Sequence, residues 1–361
     1  MTPKLERTGG PKPRICFDMT FPDRNDGGSG VYARSLVAAL RQRDDVEVEE
    51  IRSSPPGLVR TIRWLASGAS VSLRAAGAQL LHSPNFVVPW NVPVPFVTTV
   101  FDLSTRRFPA DHPLEWRVYE RWIMPARAKA AARVIAISEL TRQDVVNTYG
   151  VEARRVVTIY PGVERSFFQT GVPKQAREPR LIFPGAPVAR KNLDTVLSAM
   201  AAAPIESFLG RACLQISGAT ADRFPGQAAR IESLGLAGRV QWLGLIPTRQ
   251  MPAVMAGADV CVYPSLYEGF GFPPLEAMAS GTPVVASNAS CLPEILGDAA
   301  LLVDATDVAA FGQAVEAVLS NGELRGRLVA AGHERVREFT WERCAERTLA
   351  IYREALAEGV R

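Results

Sequence analysis

Tyr263-Pro-Ser-Leu-Tyr-Glu-Gly-Phe-Gly-Phe-Pro-Pro-Leu-Glu-Ala-Met-Ala-Ser-Gly281 decides the reading of this chain. Val260 to Pro264 is a short apolar, β-branched run ending in proline, which predicts a buried parallel strand. Pro273 and Pro274 suit the first positions of a helix, where a missing N–H removes no bond and a fixed φ is already helical. Gly281 supplies the stop. Between strand and helix lie Gly269, Phe270, Gly271 and Phe272, where glycine lets a ligand approach the backbone closely. A helix N-terminus carries about half a positive charge and unpaired N–H groups, so this turn is expected to face an anion such as phosphate. Glu268 and Glu276, with seven residues between them around the turn, are acceptor-only groups better matched to sugar hydroxyls. The competing reading makes Glu276 a complement to the helix dipole and Glu268 a solvated loop charge.

Working outward, short apolar runs alternate with helical patterns along the 361 residues. Arg14–Asp18, Pro95–Asp102, Val134–Ile137 and Val156–Tyr160 occupy the first half. Leu181–Phe183, Leu214–Ser217, Val240–Leu243, Val260–Tyr263 and Val284–Ser287 occupy the second. Such alternation predicts an α/β fold of parallel sheets covered on both faces, and the length fits two domains. Phe167–Pro179 lacks periodicity and carries Gly171, Pro173 and Pro179, so the linker is placed there. The expected division is a loose tail at 1–13, domains at 14–170 and 171–338, and a terminal helical segment at 339–361. Thr340 is a candidate cap of that segment, and Leu349, Tyr352 and Leu356 share one face. Ligands of doubly wound sheets sit beyond the carboxyl ends of the strands, so the motifs should converge on a cleft between the domains.

Composition narrows the function classes. No run of about 18 uncharged apolar residues marks a membrane span, and the polar, proline-rich start lacks the apolar core of a secretion signal. The five cysteines are scattered, which reads as buried free thiols in the cytoplasm. Three histidines without paired spacing do not make a zinc site, and there is no Asp-x-Asp triplet to hold a cation on a diphosphate. No metal and no cofactor are therefore expected. Net charge is only +4, too balanced for a protein that tracks nucleic acid. Met1–Thr170 holds 23 of the 41 basic and 17 of the 37 acidic residues, so the positive surplus lies in the first half. Arg60, Arg63, Trp64 and Arg74, then Trp116, Arg117, Arg121, Trp122 and Arg127, cluster arginine with aromatics there. Such a face suits anionic lipid at the inner surface of a plasma membrane; a solvated helix face is the plainer alternative.

The quoted run, followed by Thr282-Pro-Val-Val-Ala-Ser and Leu292-Pro-Glu-Ile-Leu-Gly-Asp-Ala-Ala-Leu-Leu-Val-Asp304, resembles the donor-site signature of glycosyltransferase family 4. Phe183-Pro-Gly-Ala-Pro-Val-Ala-Arg-Lys-Asn-Leu193 is similar to that family's phosphate loop, Val240-Gln-Trp-Leu-Gly244 to its strand near the base, and Gly28-Ser-Gly-Val-Tyr32 to its first glycine loop. The likeness runs from about Arg14 to Leu356. It implies the GT-B fold, two facing Rossmann-like domains with the last helix crossing back, and a retaining, metal-independent transfer from a nucleoside-diphosphate sugar to a glycan or lipid-linked acceptor. By that likeness Arg190, Lys191, Glu268 and Asp102 are the candidate catalytic residues. Gly28, Gly30, Gly185, Phe270, Gly271, Leu275 and Glu276 are the candidate donor-binding ones. Arg190 and Lys191 would meet charge growing on the departing diphosphate, where a fixed cation is worth several kcal/mol of barrier; a solvated basic pair is the alternative. Gly27–Gly30 alone also reads as a plain tight turn. Relatives usually carry histidine where this chain has Phe101, and often arginine where it has Ala186. Retention by a covalent intermediate or by front-face attack is not separable from the residues; the family generally favours the latter, so Glu268 and Glu276 are assigned to binding and the leaving phosphate to accepting the proton. A nucleotide-sugar epimerase fits less well, since its ring acids and bases are not evident. A noncatalytic binding protein would be expected to lose the carboxylates or the lysine.

Overall fold

The computed structural model describes residues 12–24, 27–52, 63–85, 87–168 and 178–359. The expected tail and linker fall largely outside them. Two six-stranded sheets organise the chain, and every pairing within them is parallel. The first has the order β2-β1-β3-β4-β5-β6, formed by Arg14–Asp18 (β1), Glu47–Ile51 (β2), Leu80–Ser83 (β3), Phe96–Val100 (β4), Arg133–Ala136 (β5) and Val156–Thr158 (β6). The second has the order β12-β11-β10-β7-β8-β9. Its strands are Arg180–Pro184 (β7), Cys213–Ser217 (β8), Val240–Gly244 (β9), Val260–Tyr263 (β10), Val284–Ser287 (β11) and Leu301–Val303 (β12). The architecture is that of two Rossmann-like α/β units, as expected.

Six helices bear on the site: Gly28–Arg41 (α1), Leu114–Val118 (α2), Glu139–Asp144 (α3), Leu193–Ala202 (α4), Phe272–Ala279 (α5) and Trp341–Gly359 (α6). In the second sheet the order reverses between β7 and β10, so the turns after those two strands open at one crevice. The first of these is the Arg190-Lys191 turn and the second is the glycine turn of the opening motif.

The terminal helix returns to the first sheet. Thr340 Oγ1 accepts the N–H of Arg343 at 3.2 Å, capping α6. Tyr352 is fully buried, with its hydroxyl 2.5 Å from His82 Nδ1, while His82 Nε2 lies 2.9 Å from Thr99 Oγ1. Burial lowers the His82 pKa to about 3, so the imidazole is neutral. Farther along, Arg133 on β5 makes a bidentate pair with Glu358, 2.6 Å to each oxygen. One apolar core runs through both halves, with Tyr32, Phe270, Phe339 and Trp341 among its members.

The basic and aromatic cluster divides. Trp64 is buried and donates Nε1–H to Asp18 at 3.2 Å, Arg127 lies over Phe96, and Arg60 is outside the described residues. On the segment beginning with α2, Leu114 (66% exposed), Val118 (49%) and Trp122 (72%) instead recur every fourth residue on the outside. Among the described residues no helix is long and apolar enough to cross a membrane.

Candidate active site

A cavity of about 670 Å³ lies between the two halves. Gly28, Asp102 and His112 line it from the first half, and Arg190, Lys191, Glu268, Phe270, Gly271 and Glu276 from the second. The floor is a charge cluster. Lys191 is 8% and Glu268 7% exposed, and Glu268 Oε1 receives Lys191 Nζ at 2.7 Å and Arg190 Nη1 at 2.9 Å. Lys191 also donates to the Tyr263 hydroxyl. Burial raises the Glu268 pKa, but the charges of Lys191 and Arg190 outweigh it and leave the carboxyl below its ordinary value. Burial lowers the Lys191 pKa, only partly offset by Glu268. The cluster thus holds two cations against one anion, which suits arrival of a further negative charge. Ser290 fixes the carboxylate's backbone, donating Oγ–H to Glu268 O at 2.7 Å and accepting the Glu268 N–H at 2.9 Å.

The local chain explains these positions. Gly185 follows β7 with φ +103°, and Asn192 at φ 54° turns the chain into α4, so Ala189–Lys191 forms one tight turn between them. Gly271 precedes α5 with φ +97°, where a side chain would be strained and would meet Leu292 Cδ2 at 3.0 Å. Pro273 follows in the first turn of α5, and Gly281 at φ +73° lies past its end.

Three of the candidate residues lie behind the wall. Leu275 is fully buried in the core, Gly30 is buried in the first turn of α1, and Gly185 underlies the Lys191 side chain. Helix α1 already starts at Gly28, which corrects the reading of Gly28–Gly30 as a glycine loop. Phe270 touches the cavity but is chiefly a core ring, 5.0 Å from Phe272 and 5.6 Å from Phe339. Asp102 is half-buried, and its Oδ1 accepts the Ser104 N–H at 2.8 Å. Phe101 packs edge-on against Tyr32 at 5.2 Å.

Two further residues that line the cleft, His112 and Glu120, carried no sequence signal. His112 lines it with Nε2 sealed from solvent and unpartnered, and burial lowers its pKa toward the neutral ring. Glu120 is buried on the same side, its Oε1 accepting from Arg106 at 2.7 Å and Tyr149 at 2.8 Å. Across the interface Glu294, within the Leu292–Asp304 segment, accepts the N–H groups of Glu139 and Leu140 at 2.7 and 3.4 Å, closing the start of α3. These partners are distant in sequence, so spacing cannot reveal them.

Glu276 is half-buried on the cleft wall, and burial, with the nearby Glu164 charge, raises its pKa to about 7. A ligand diol that hydrogen-bonds to both oxygens binds the ionised form. Affinity for a nucleoside diphosphate should therefore weaken as pH falls from 8 to 6, and the Glu276→Gln protein should lose affinity and that part of the slope. Calorimetry across this range checks it; an unchanged slope in the variant removes Glu276 from the nucleotide contact.

Two Rossmann-like halves closing on one cleft, with a phosphate-type turn and a glycine-opened helix on its floor, define the GT-B class. Residues 26–167 match glycosyltransferase family 4 and residues 164–335 match glycosyl transferases group 1. The O-antigen chain mannosyltransferase B of Escherichia coli is 30% identical over 344 residues, spanning 92% of this chain and 86% of its own length. A phosphatidyl-myo-inositol mannosyltransferase of Mycobacterium leprae is 31% identical over 341 residues, 91% of this chain and 85% of that one. Among solved structures, sucrose-phosphate synthase from Thermosynechococcus elongatus superposes with a TM-score of 0.79 at 22% identity, covering 96% of this chain and all of that one. HepE of Anabaena, solved with UDP and glucose, gives 0.74 at 17% identity, covering 94% and 98%. The chain belongs to the group 1 glycosyltransferases of family 4 type and is a glycosyltransferase.

Proposed function

We propose that the enzyme moves a mannose-, rhamnose- or glucose-like sugar from a nucleoside-diphosphate donor to a glycan or lipid-linked acceptor, with retained configuration and without a metal, in synthesis of a bacterial surface polysaccharide or glycolipid. The observation that carries this reading is the floor of the cleft, where Lys191 and Arg190 converge on Glu268 beside the glycine turn that opens α5. A diphosphate there would meet two preorganised cations, which stabilise the charge left as the sugar departs. The mannosyltransferase relatives favour mannose as the sugar.

Glu268 has Oε1 committed to both cations, which suits an orienting group better than a nucleophile and supports front-face attack, with the leaving phosphate taking the acceptor's proton. Among the described residues no three or more His, Cys, Asp or Glu side chains come together as metal ligands; the metal-free reading itself rests on the likeness to family 4. Leu114, Val118 and Trp122, with exposed Arg117 and Arg121 between them, would rest on an anionic leaflet at the cytoplasmic side and bring a lipid-linked acceptor to the cleft.

The test is a panel of nucleoside-diphosphate sugars with glycan acceptors and with lipid-linked acceptors in anionic vesicles, all in EDTA. Turnover with the donor's anomeric configuration in the product, read by NMR, is expected. Inversion would refute retention, and activity restored only by added metal would refute the metal-free chemistry.

A further inference from the structure

Arg190 is gripped twice, and both grips lead into the other half of the molecule. Asp111, between β4 and α2, accepts the backbone N–H of Ala189 at 3.1 Å and of Arg190 at 3.2 Å. On the opposite side, Arg190 Nη1 donates to the carbonyl of Tyr267 at 3.2 Å, and the same nitrogen donates to Glu268. Tyr267 is itself fixed by the first half: its hydroxyl donates to Asp144 at 2.7 Å and accepts the Leu103 N–H at 3.0 Å. The Arg107 guanidinium sits 4.9 Å over its ring and also binds Asp144, at 2.6 Å. Neither Asp111 nor Tyr267 lines the cavity.

We infer that Asp111 and Tyr267 are positioning residues through which docking of the two halves sets Arg190, and with it Lys191, against the donor diphosphate. This rests on the proposed function and adds to it how the cations acquire their geometry. With the halves apart, Arg190 retains Glu268, but its backbone loses Asp111 and Tyr267 loses both hydroxyl partners. The turn then has no anchor outside its own half. Misplacement of a reacting or stabilising group by about 1 Å costs roughly a hundredfold in rate, so anchoring at this level matters to catalysis.

Tyr267→Phe removes one hydroxyl and keeps the ring, while Asp111→Ala removes the carboxylate and Asp111→Asn leaves one carbonyl acceptor. The first two should each lower kcat about 10- to 100-fold with melting temperature and nucleoside-diphosphate affinity little changed. Hydrolysis of the donor without acceptor should fall by the same factor, because the cations act on the leaving group. Asp111→Asn should recover part of the loss, and the Tyr267→Phe/Asp111→Ala double variant should lose less than the product of the singles, since both act on Arg190. Unchanged kcat in both single variants overturns the inference, as does a loss that merely follows the unfolded fraction. An inactive wild-type enzyme overturns the proposed function as well, whereas an active wild type with unaffected variants overturns this inference alone.

Discussion

Lys191→Ala should lower the transfer rate by about 100- to 1,000-fold, the cost typical of removing one preorganised group that meets developing charge. Lys191 is almost fully buried, and its ammonium reaches both Glu268 and the Tyr263 hydroxyl, so it is already desolvated and oriented before a donor arrives. Burial disfavours its charge, and a diphosphate restores it, which makes its interaction with the leaving group stronger than with Glu268 alone. Stability should suffer less than rate. Arg190 stays within 2.9 Å of the same Glu268 oxygen, so the carboxylate keeps one cation and escapes the several-kcal/mol penalty of an orphaned buried charge, about 3–5 kcal/mol. Steady-state kinetics beside a melting curve separate the two effects. A kcat within threefold of wild type would take Lys191 out of the reaction, and Lys191→Arg tests whether charge alone suffices, since a planar guanidinium cannot reproduce the ammonium's two contacts in the same space.

The strands that the sequence makes evident are those buried on both faces, because a continuous apolar run has few other uses. β1, β10 and β11 lie over the residues expected of them. Three strands escaped. β2 reads Glu47-Val-Glu-Glu-Ile51 at a sheet edge, where alternate residues meet water. β3 is four residues long and carries His82, a polar side chain made acceptable by Tyr352 and Thr99. β12 is a three-residue edge strand. The site divides the same way. Residues whose role depends on their own segment, such as Gly271 with its positive φ or Lys191 on its turn, are marked by local chemistry. Tyr267 sits inside the most telling stretch, next to Glu268, yet its significance comes from Asp144 and Leu103 across the interface. Spacing gives Glu268 a free carboxylate, while the folded chain gives it two cations.

Gly269→Ala should be nearly as damaging as loss of Lys191, for a steric reason. A β-carbon at Gly269 would overlap the Phe101 carbonyl oxygen, with the carbonyl carbon 2.8 Å and Asp102 Cβ 3.0 Å away. The obstacle is backbone at the end of β4, held further by the Thr141 hydroxyl, which donates to Phe101 O at 3.0 Å, so it cannot swing aside as a side chain would. Overpacking of this kind costs about 1–3 kcal/mol and is taken up by backbone shifts, here a shift of one half against the other. Each half has its own sheet, so separation can spare the folded units while breaking the Asp144–Tyr267 and Glu294–α3 contacts. The expected result is a transfer rate down by about 100-fold, the loss associated with an ångström-scale displacement, and a larger radius of gyration in solution scattering. Gly326→Ala is the matched control: it lies in a helix with open space around it and should add about 0.5–1 kcal/mol of stability with unchanged rate. Full activity in Gly269→Ala would mean that the close approach of the glycine turn to Phe101 is not the working geometry. Lost activity with an unchanged radius of gyration would instead place the damage in the turn itself, where the displaced N–H groups of Gly269–Gly271 no longer meet the donor.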